Sequence, residues 1–327
     1  MFSKIVARSS GELKLLEVVP PVFEAVRIPG ANFIVASGIA GDILFQEFQE
    51  MGFTIVYTCA LLKRAETFTC FGKETQPALH INLVNSRLFD AGNRNEKMMH
   101  ECAYNLYYVP GTQLNMRFRK PGYFESLSIY YTNNYLERFI SYYPVLSDFL
   151  QKVNQQQAVV LWKANQIAPM PMLDAIDNML RLSEYNKHVL QVPNTSRGYD
   201  ILAMAMQQAT LHPVARPVRF SDREIEGIYR TRDWLLKNLD QYIALQQIAA
   251  NAGVTVYKLQ AGFKKVYGMP VFEYMRWHRM VKARKMLINT TLPMVQIASR
   301  IGYRNTVTFS AAFKECFHTT PGSYRKK

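Results

Sequence analysis

Seven side chains near the C-terminus are of types that can read a base pair. Tyr257, Gln260 and Ala261 lie in one short stretch, and Thr306, Val307, Ser310 and Ala311 lie in another about fifty residues on. In a major groove, hydroxyl and amide groups can bond base edges, and methyl or aromatic groups can contact thymine methyls. Around them stand Thr255, Lys258, Lys264, Lys265, Arg279, Arg304, Asn305 and Lys314. Ammonium, guanidinium and small polar groups suit phosphate oxygens, which add affinity without sequence choice.

A tandem repeat has to position these groups. IALQQIAANAGVTVYKLQAGFKKVYG (243–268) and LPMVQIASRIGYRNTVTFSAAFKECFH (292–318) align at Ile248-Ala249 with Ile297-Ala298 and at Gly253 with Gly302. With one extra residue in the second turn, Leu259 aligns with Phe309, Phe263-Lys264 with Phe313-Lys314, and Tyr267 with Phe317. Each copy predicts a helix, a glycine turn and a second helix, the layout of a helix-turn-helix DNA reader. In the first copy Thr255 is placed to cap the second helix, and Leu259, Phe263 and Val266 fall at i, i+4 and i+7, facing the core. That leaves Tyr257, Gln260, Ala261 and Lys264 outward. In the second copy Asn305 is the cap; Phe309, Phe313 and Phe317 face inward, and Thr306, Val307, Ser310, Ala311 and Lys314 face out. Taken singly, each outward residue reads as solvated surface; the paired motif makes them a set.

Between the copies, 271–288 predicts one uninterrupted helix with Tyr274, Met280, Ala283 and Leu287 at apolar spacing. Arg276, Arg279, Lys282, Arg284 and Lys285 crowd its other faces. Eighteen residues at ~1.5 Å each give roughly 27 Å. Major grooves recur on one face of a duplex every ~34 Å, so such a rod suits two helices in adjacent grooves. The cations of this helix and the terminal Arg325-Lys326-Lys327 extend the candidate phosphate contacts.

Charge follows the same division. Residues 213–327 hold 20 Lys+Arg against 7 Asp+Glu, a net of +13; residues 1–212 hold 19 against 18, a net of +1. A polyanion-binding module is thus joined to a neutral one with another task. At 327 residues and 49% hydrophobic, the chain can bury the cores of two domains. The opening MFSKIVARSSGELK lacks an apolar run typical of a secretory signal, and the longest nearly apolar stretch, 53–62, is too short to span a bilayer. No membrane association is expected. Cys59, Cys70, Cys102 and Cys316 have no metal-ligand spacing and read as reduced structural residues in a cytoplasmic, nucleoid-associated chain.

From about 22 to 132, GDILFQEF, FTIVYTCALL, ETFTCF, ALHINLV, LNMRFR and FESLSIYYT predict short antiparallel strands of a barrel or sandwich, punctuated by DAGNRN and VPGTQ. Helical spacing then takes over in YLERFI, capped from Asn133-Asn134, and in PVLSDFLQKV, MLDAIDNMLRL and YDILAMAMQQA. HPVARPV (212–218) is the boundary, since its two prolines disfavour regular structure. Ser221-Asp222-Arg223-Glu224 fits a capping box ahead of an apolar stripe at Ile225, Ile228, Tyr229, Leu235, Leu236 and Leu239. The expected class is therefore α+β and multidomain: a β-rich domain at 1–132, a helical segment at 133–212 and an all-α domain of two helix-turn-helix units joined by a long helix at 213–327.

The C-terminal ~105 residues resemble the DNA-binding domain of the AraC/XylS family of bacterial transcription regulators. The matching residues are IA…AGVT…L…FKK.YG, RWHRMVKARKMLI, QIASRIGY…FSAAFKECF and TPGSYR. The resemblance implies a transcription regulator, usually an activator contacting RNA polymerase. Its base-reading positions carry over to Tyr257, Gln260, Ala261, Thr306, Val307, Ser310 and Ala311. Two departures stand out. Many members have arginine where Ala261 and Ala311 stand, which removes bidentate guanine reading and moves specificity to methyl contacts, Gln260 or DNA shape. His318 replaces the usual glycine after the second recognition helix, and histidine tolerates the left-handed region. For the first half the family implies a cupin-like β-barrel that binds a small-molecule effector and supports a homodimer. GDILFQEF, NLYYVPG and YLERF resemble siderophore-responsive pyochelin regulators, which implies iron-linked control.

Rival chemistries lack their residues. A catalytic cupin needs an HxH pair with Glu and a later His, yet His80 and His100 each stand alone. A repair-type methyl acceptor needs a four-cysteine zinc cluster, and there is no Ser-His-Asp arrangement or phosphate-cradling glycine loop. An enzyme, a cofactor and a metal are thus not expected. Two alternatives stay open: a constitutive regulator whose barrel only dimerises, and a metal-binding or enzymatic cupin tethered to DNA.

Overall fold

In the computed structural model, the β-branched and aromatic runs of the first half form two antiparallel sheets. The structure describes residues 2–26, 28, 30–72, 76–85, 87–90, 96–99, 101–181, 198–207, 220–267, 269–317 and 319–325. The strands are β1 (Lys4–Ala7), β2 (Gly11–Glu12), β3 (Lys14–Leu16), β4 (Asn32–Gly38), β5 (Gly41–Glu50), β6 (Phe53–Leu62), β7 (Glu66–Phe71) and β8 (Ala78–Val84). They continue as β9 (Arg87–Asp90), β10 (Glu96–Met99), β11 (Ala103–Tyr108), β12 (Gln113–Phe118), β13 (Gly122–Tyr131), β14 (Val159–Val160) and β15 (Gln166–Ile167). One sheet runs β10-β9-β12-β7-β1-β2 and the other β14-β11-β8-β13-β6-β5-β4-β3, with β15 also on β11. Among the described residues neither sheet closes on itself, so two open sheets stand where a barrel or sandwich is expected, and a closed barrel is not seen.

The sheets bury one face against each other. Ile5, Phe68, Met116 and Phe118 of the first meet Ile43, Phe45, Ala60, Leu62 and Phe124 of the second in one cluster. β1 to β3 precede the region whose pattern predicts strands. At two to four residues they are too short to display an alternation, and pairing with longer partners holds them. β14 and β15, within the stretch that reads as helical, are likewise recruited by the edge of β11.

Helices α1 (Asn133–Glu137), α2 (Val145–Asn154), α3 (Met170–Arg181) and α4 (198–207) follow in the same unit. The cap of α1 is Thr132, not Asn133-Asn134. Thr132 directly follows β13 in extended backbone (φ −70°, ψ 150°), which aims its hydroxyl at the Tyr135 amide 3.3 Å away. The Tyr104 hydroxyl donates to the Ala205 carbonyl (2.9 Å) and the Tyr131 hydroxyl to that of Gly198 (3.4 Å), tying α4 to β11 and β13. Burial pushes both phenols above their ordinary pKa, keeping them protonated donors.

The chain divides into two compact units, Met1–Pro213 and Val214–Lys327. The proline-rich 212–218 lies outside the described residues, as does His100. The second unit is all helix: α5 (Asp222–Lys237), α6 (Leu245–Ala252), α7 (Val256–Tyr267), α8 (Val271–Asn289), α9 (Met294–Arg300), α10 (Thr306–Phe317) and α11 (Pro321–Arg325). Ser221 and Glu224 form a reciprocal cap on α5: the Glu224 amide donates to Ser221 Oγ (3.3 Å) and the Ser221 amide to Glu224 Oε2 (3.0 Å). Replacing Ser221 by alanine is expected to cost about 0.5–2 kcal/mol, read as an earlier urea midpoint for this unit; an unmoved midpoint would remove the cap from the account. Of the predicted stripe, Ile228, Leu235 and Leu239 are buried, while Ile225, Tyr229 and Leu236 are only half-buried.

The long helix α8 serves two cores. Its first half gives Tyr274, whose ring lies 5.8 Å from that of Phe263 and 5.0 Å from that of Tyr267. Its second half gives Met280, Ala283 and Leu287, which pack with Ile297, Ala298, Ile301, Phe309, Phe313 and Cys316. The apolar spacing that predicts one helix therefore hides two separate partners. No described helix is long and apolar enough to cross a membrane.

Candidate nucleic-acid interface

The first helix pair is built around its turn. α6 ends at Gly253, whose φ of 67° is left-handed and whose amide donates back to Ala249 and Ala250. Thr255 Oγ1 then accepts from the Lys258 amide (3.2 Å), starting α7 as a cap does. Leu259, Phe263 and Val266 are buried, so the opposite face of α7 points to solvent. Tyr257 is 69% exposed, and Gln260 and Lys264 are exposed; Ala261 is half-buried.

The second pair repeats the plan with different caps. α9 leads to Gly302 at φ 78°, and Asn305 Oδ1 accepts from the Thr308 amide (2.9 Å) and hydroxyl (3.0 Å) at the start of α10. Phe309 and Phe313 are fully buried, and Phe317 is half-buried. Val307 is 76% exposed, Ala311, Arg304 and Lys314 are exposed, and Thr306 and Ser310 are half-buried. Thr308 is also exposed and was missed by sequence reasoning; its hydroxyl is bonded to Asn305, and a cap's partner has no sequence signal of its own.

The candidate phosphate ligands separate by their partners. Lys258 Nζ stands 2.6 Å from Glu224 Oε1, tying α7 to α5. That ammonium, with the Ser221 cap, holds the Glu224 carboxyl below the usual carboxylate range. The stability it lends is present above the ordinary carboxylate pKa and is lost as pH falls through the lowered value. Arg279 Nε donates to the Leu239 carbonyl (2.6 Å) and Nη2 to the Gln241 carbonyl (2.8 Å). Arg276 makes a two-pronged pair with Glu315 across α8 and α10 (2.8 and 3.1 Å), and the Arg284 guanidinium lies over the Phe317 ring at 5.5 Å. Arg325 donates to the Leu292 carbonyl. The side chains of Lys265 and Lys285, together with His318, Lys326 and Lys327, lie outside the described residues.

The N-terminal unit carries a second polar set inside its sheets. Cross-strand pairing sets Asn105, His80, Ser128, Val56 and Glu47 in one row, and Asn82, Ser126 and Thr58 in the next. Alternation puts both rows on the face that Phe45, Ala60 and Phe124 turn toward the other sheet. The polar members are all buried, although burying such groups costs free energy unless they are bonded. His80 Nδ1 shares a 2.7 Å hydrogen bond with Ser128 Oγ, and Asn105 Nδ2 donates to the Trp162 carbonyl (2.9 Å) and Asn165 Oδ1 (3.1 Å). Among the described residues no three His, Cys, Asp or Glu side chains gather into a group that could hold a metal ion. All four cysteines are buried thiols outside any disulfide.

Residues 248–327 match the helix-turn-helix domain family model. The chain is 38% identical over 93 residues to the transcriptional regulator Rob of Salmonella typhimurium, covering 28% of this chain and 32% of Rob. It thus spans about a third of the length of that relative. It is 35% identical over 92 residues to the HTH-type transcriptional activator AarP of Providencia stuartii (28% of this chain, 68% of AarP). The TetD protein of transposon Tn10 from Escherichia coli is 36% identical over 93 residues, 28% of this chain and 67% of TetD. Two outward recognition helices on one rod, and relatives matched over two thirds of their length above 30% identity, lead to one conclusion: the chain belongs to the AraC/XylS family of transcription regulators.

Proposed function

We propose that the chain is a sequence-specific, promoter-binding transcription regulator, an activator working with RNA polymerase, switched by a small molecule held in its N-terminal half. The observation that carries the DNA reading is the pair of outward faces on α7 and α10, each capped, each backed by a buried aromatic, and both attached to α8. At 19 residues α8 is about 28 Å long, close to the ~34 Å between successive major grooves on one face. Tyr257, Gln260, Ala261, Thr306, Val307, Ser310 and Ala311 then read bases, and Thr255, Lys264, Lys265, Arg304, Asn305 and Lys314 hold phosphates, with Lys258 nearby. The activator role is supported by the description of AarP as a transcriptional activator.

The effector reading, with cupin-like residues 1–132 and a dimer-forming 133–212, is supported by the buried polar rows around His80, Ser128 and Asn105. An inner face made only for packing has no need of them. A siderophore is one class to try. Thermal shifts of the full chain across siderophores, sugars and fatty acids test this, and a flat response to all of them would favour a constitutive regulator.

Footprinting on DNA upstream of genes near its own is expected to protect about two helical turns per chain. Equal binding to random and promoter DNA at ~150 mM salt would end the claim of specificity. Within the site, Gln260→Ala should cost about 1–3 kcal/mol and relax the preference at one base pair. Lys264→Ala should instead weaken all sequences alike and reduce the salt slope by about one. Quantitative binding to a panel of single-base variants separates the two patterns; identical patterns would undo the division of roles.

A further inference from the structure

We infer that Arg279 and Gly302 lock the corner between α5 and α6 and thereby set the rotational phase between the two recognition helices. A rod such as α8 fixes the distance between its ends. Its packing into each core seats each helix pair on the rod separately. The structure supplies a second connection beside the rod. The corner at 239–241 leads from α5 into α6 of the first helix pair, and Arg279, projecting from the middle of α8, grips it through the Leu239 and Gln241 carbonyls. The turn of the second pair presses on the same corner. A β-carbon on Gly302 would stand 2.8 Å from the Asp240 carbonyl oxygen and 2.9 Å from that of Leu239, and φ there is +78°. Only glycine allows that approach.

Arginine suits the task because its planar fork reaches two acceptors at once and stays charged when partly buried. Burial draws its pKa below the ordinary value, with Tyr303 and Asp240 opposing that, and neither effect removes the charge. One residue beyond the clamp, Tyr242 stands 91% exposed just ahead of α6. One turn earlier on the same side of the rod, the Arg276–Glu315 pair holds α8 to α10. The second pair is therefore tied to the rod through Arg276 and meets the corner that Arg279 grips. Two modules held in phase gain affinity for a two-part site, because the second contact forms at high effective concentration. Freed modules lose that gain and tolerate altered spacing.

The inference rests on the DNA-reading function proposed above. The test uses the full chain and duplexes that the wild-type protein selects from a random-sequence pool. Five base pairs, about half a turn, are then inserted between the two halves of the site. Wild type is expected to lose at least about tenfold on the insertion, and Arg279→Gln or Arg279→Lys less than about threefold. The variants should also weaken the whole site about tenfold more than a duplex keeping one half, with an unaltered salt slope. Arg279→Lys separates fork from charge: it keeps the cation but cannot serve both carbonyls. Gly302→Ala enters the corner from the other side and should relax spacing in the same way, which keeps the test open if Arg279→Gln does not fold. Wild-type discrimination against the insertion in all variants would overturn the inference. So would equal weakening of half and whole sites with a slope smaller by about one, which marks a phosphate contact. Failure of wild type to select any duplex would sink the DNA-reading function instead.

Discussion

Raising salt from about 50 to about 200 mM should weaken the full chain on its selected duplex by about 10⁴ if two chains bind, and by about 10² if one does. The figure counts the four lysines and arginines that the proposed function assigns wholly to phosphate. Lys258 faces Glu224, Arg276 faces Glu315, and Arg279 faces two carbonyls. Lys264, Lys265, Arg304 and Lys314 remain in the proposed set. Each neutralised phosphate contributes about −0.9 to the slope of log affinity on log salt, giving about −3.6 for one chain and about −7 for two. Fluorescence anisotropy over that salt range measures it. A slope shallower than about −2 would mean that these four side chains do not meet the backbone. The same measurement counts chains, so it bears on the proposed homodimer.

Phe313→Ala should remove about 3–5 kcal/mol from the C-terminal unit. The ring is fully buried, 5.7 Å from that of Phe309, 4.7 Å from that of Phe317 and 5.4 Å from that of Tyr324. It thus joins α10 to α11 beneath the outward row that carries Val307, Ser310 and Ala311. Truncation leaves a cavity that this aromatic shell can fill only in part. Against a domain stability of about 5–15 kcal/mol, the loss is large. Circular dichroism should register a fall of roughly 10–25 °C in the melting of this unit, with binding to two-part DNA lost near the new midpoint. Val307→Ala on the opposite face of the same helix should stay within about 0.5 kcal/mol. A shift of only a degree or two for Phe313→Ala would show that α10 is not held by its aromatic seam, and the recognition face would lose its support.

Much of the C-terminal unit was legible in the chain. Thr255, Asn305 and Ser221 were recognisable as caps, because a cap and its amide lie within three residues of each other. Leu259, Phe263, Phe309 and Phe313 were recognisable as core from their spacing, and all four are buried. The first half was legible less completely. β5, β6, β8 and β13 are long enough to display alternation, whereas β1 to β3, β14 and β15 exist because a neighbouring strand offers a free edge. Thr132 displaced Asn133 as a cap because the end of β13 sets its backbone, and that strand's length depends on its pairing with β6 and β8.

What the sequence by itself determined is which helices form and which of their faces look outward. Those properties repeat every three or four residues and depend on near neighbours. Only the tertiary structure decided which cations stay available to a polyanion. On the linear chain Arg279, Lys264 and Lys314 are equivalent charges on amphipathic helices. In the fold Arg279 meets main-chain carbonyls about forty positions away, and every residue has a carbonyl, so no side-chain pattern announces which will be left open. The hydrogen-bonding demand of a chain corner, and not the charge pattern of α8, assigns that guanidinium its place.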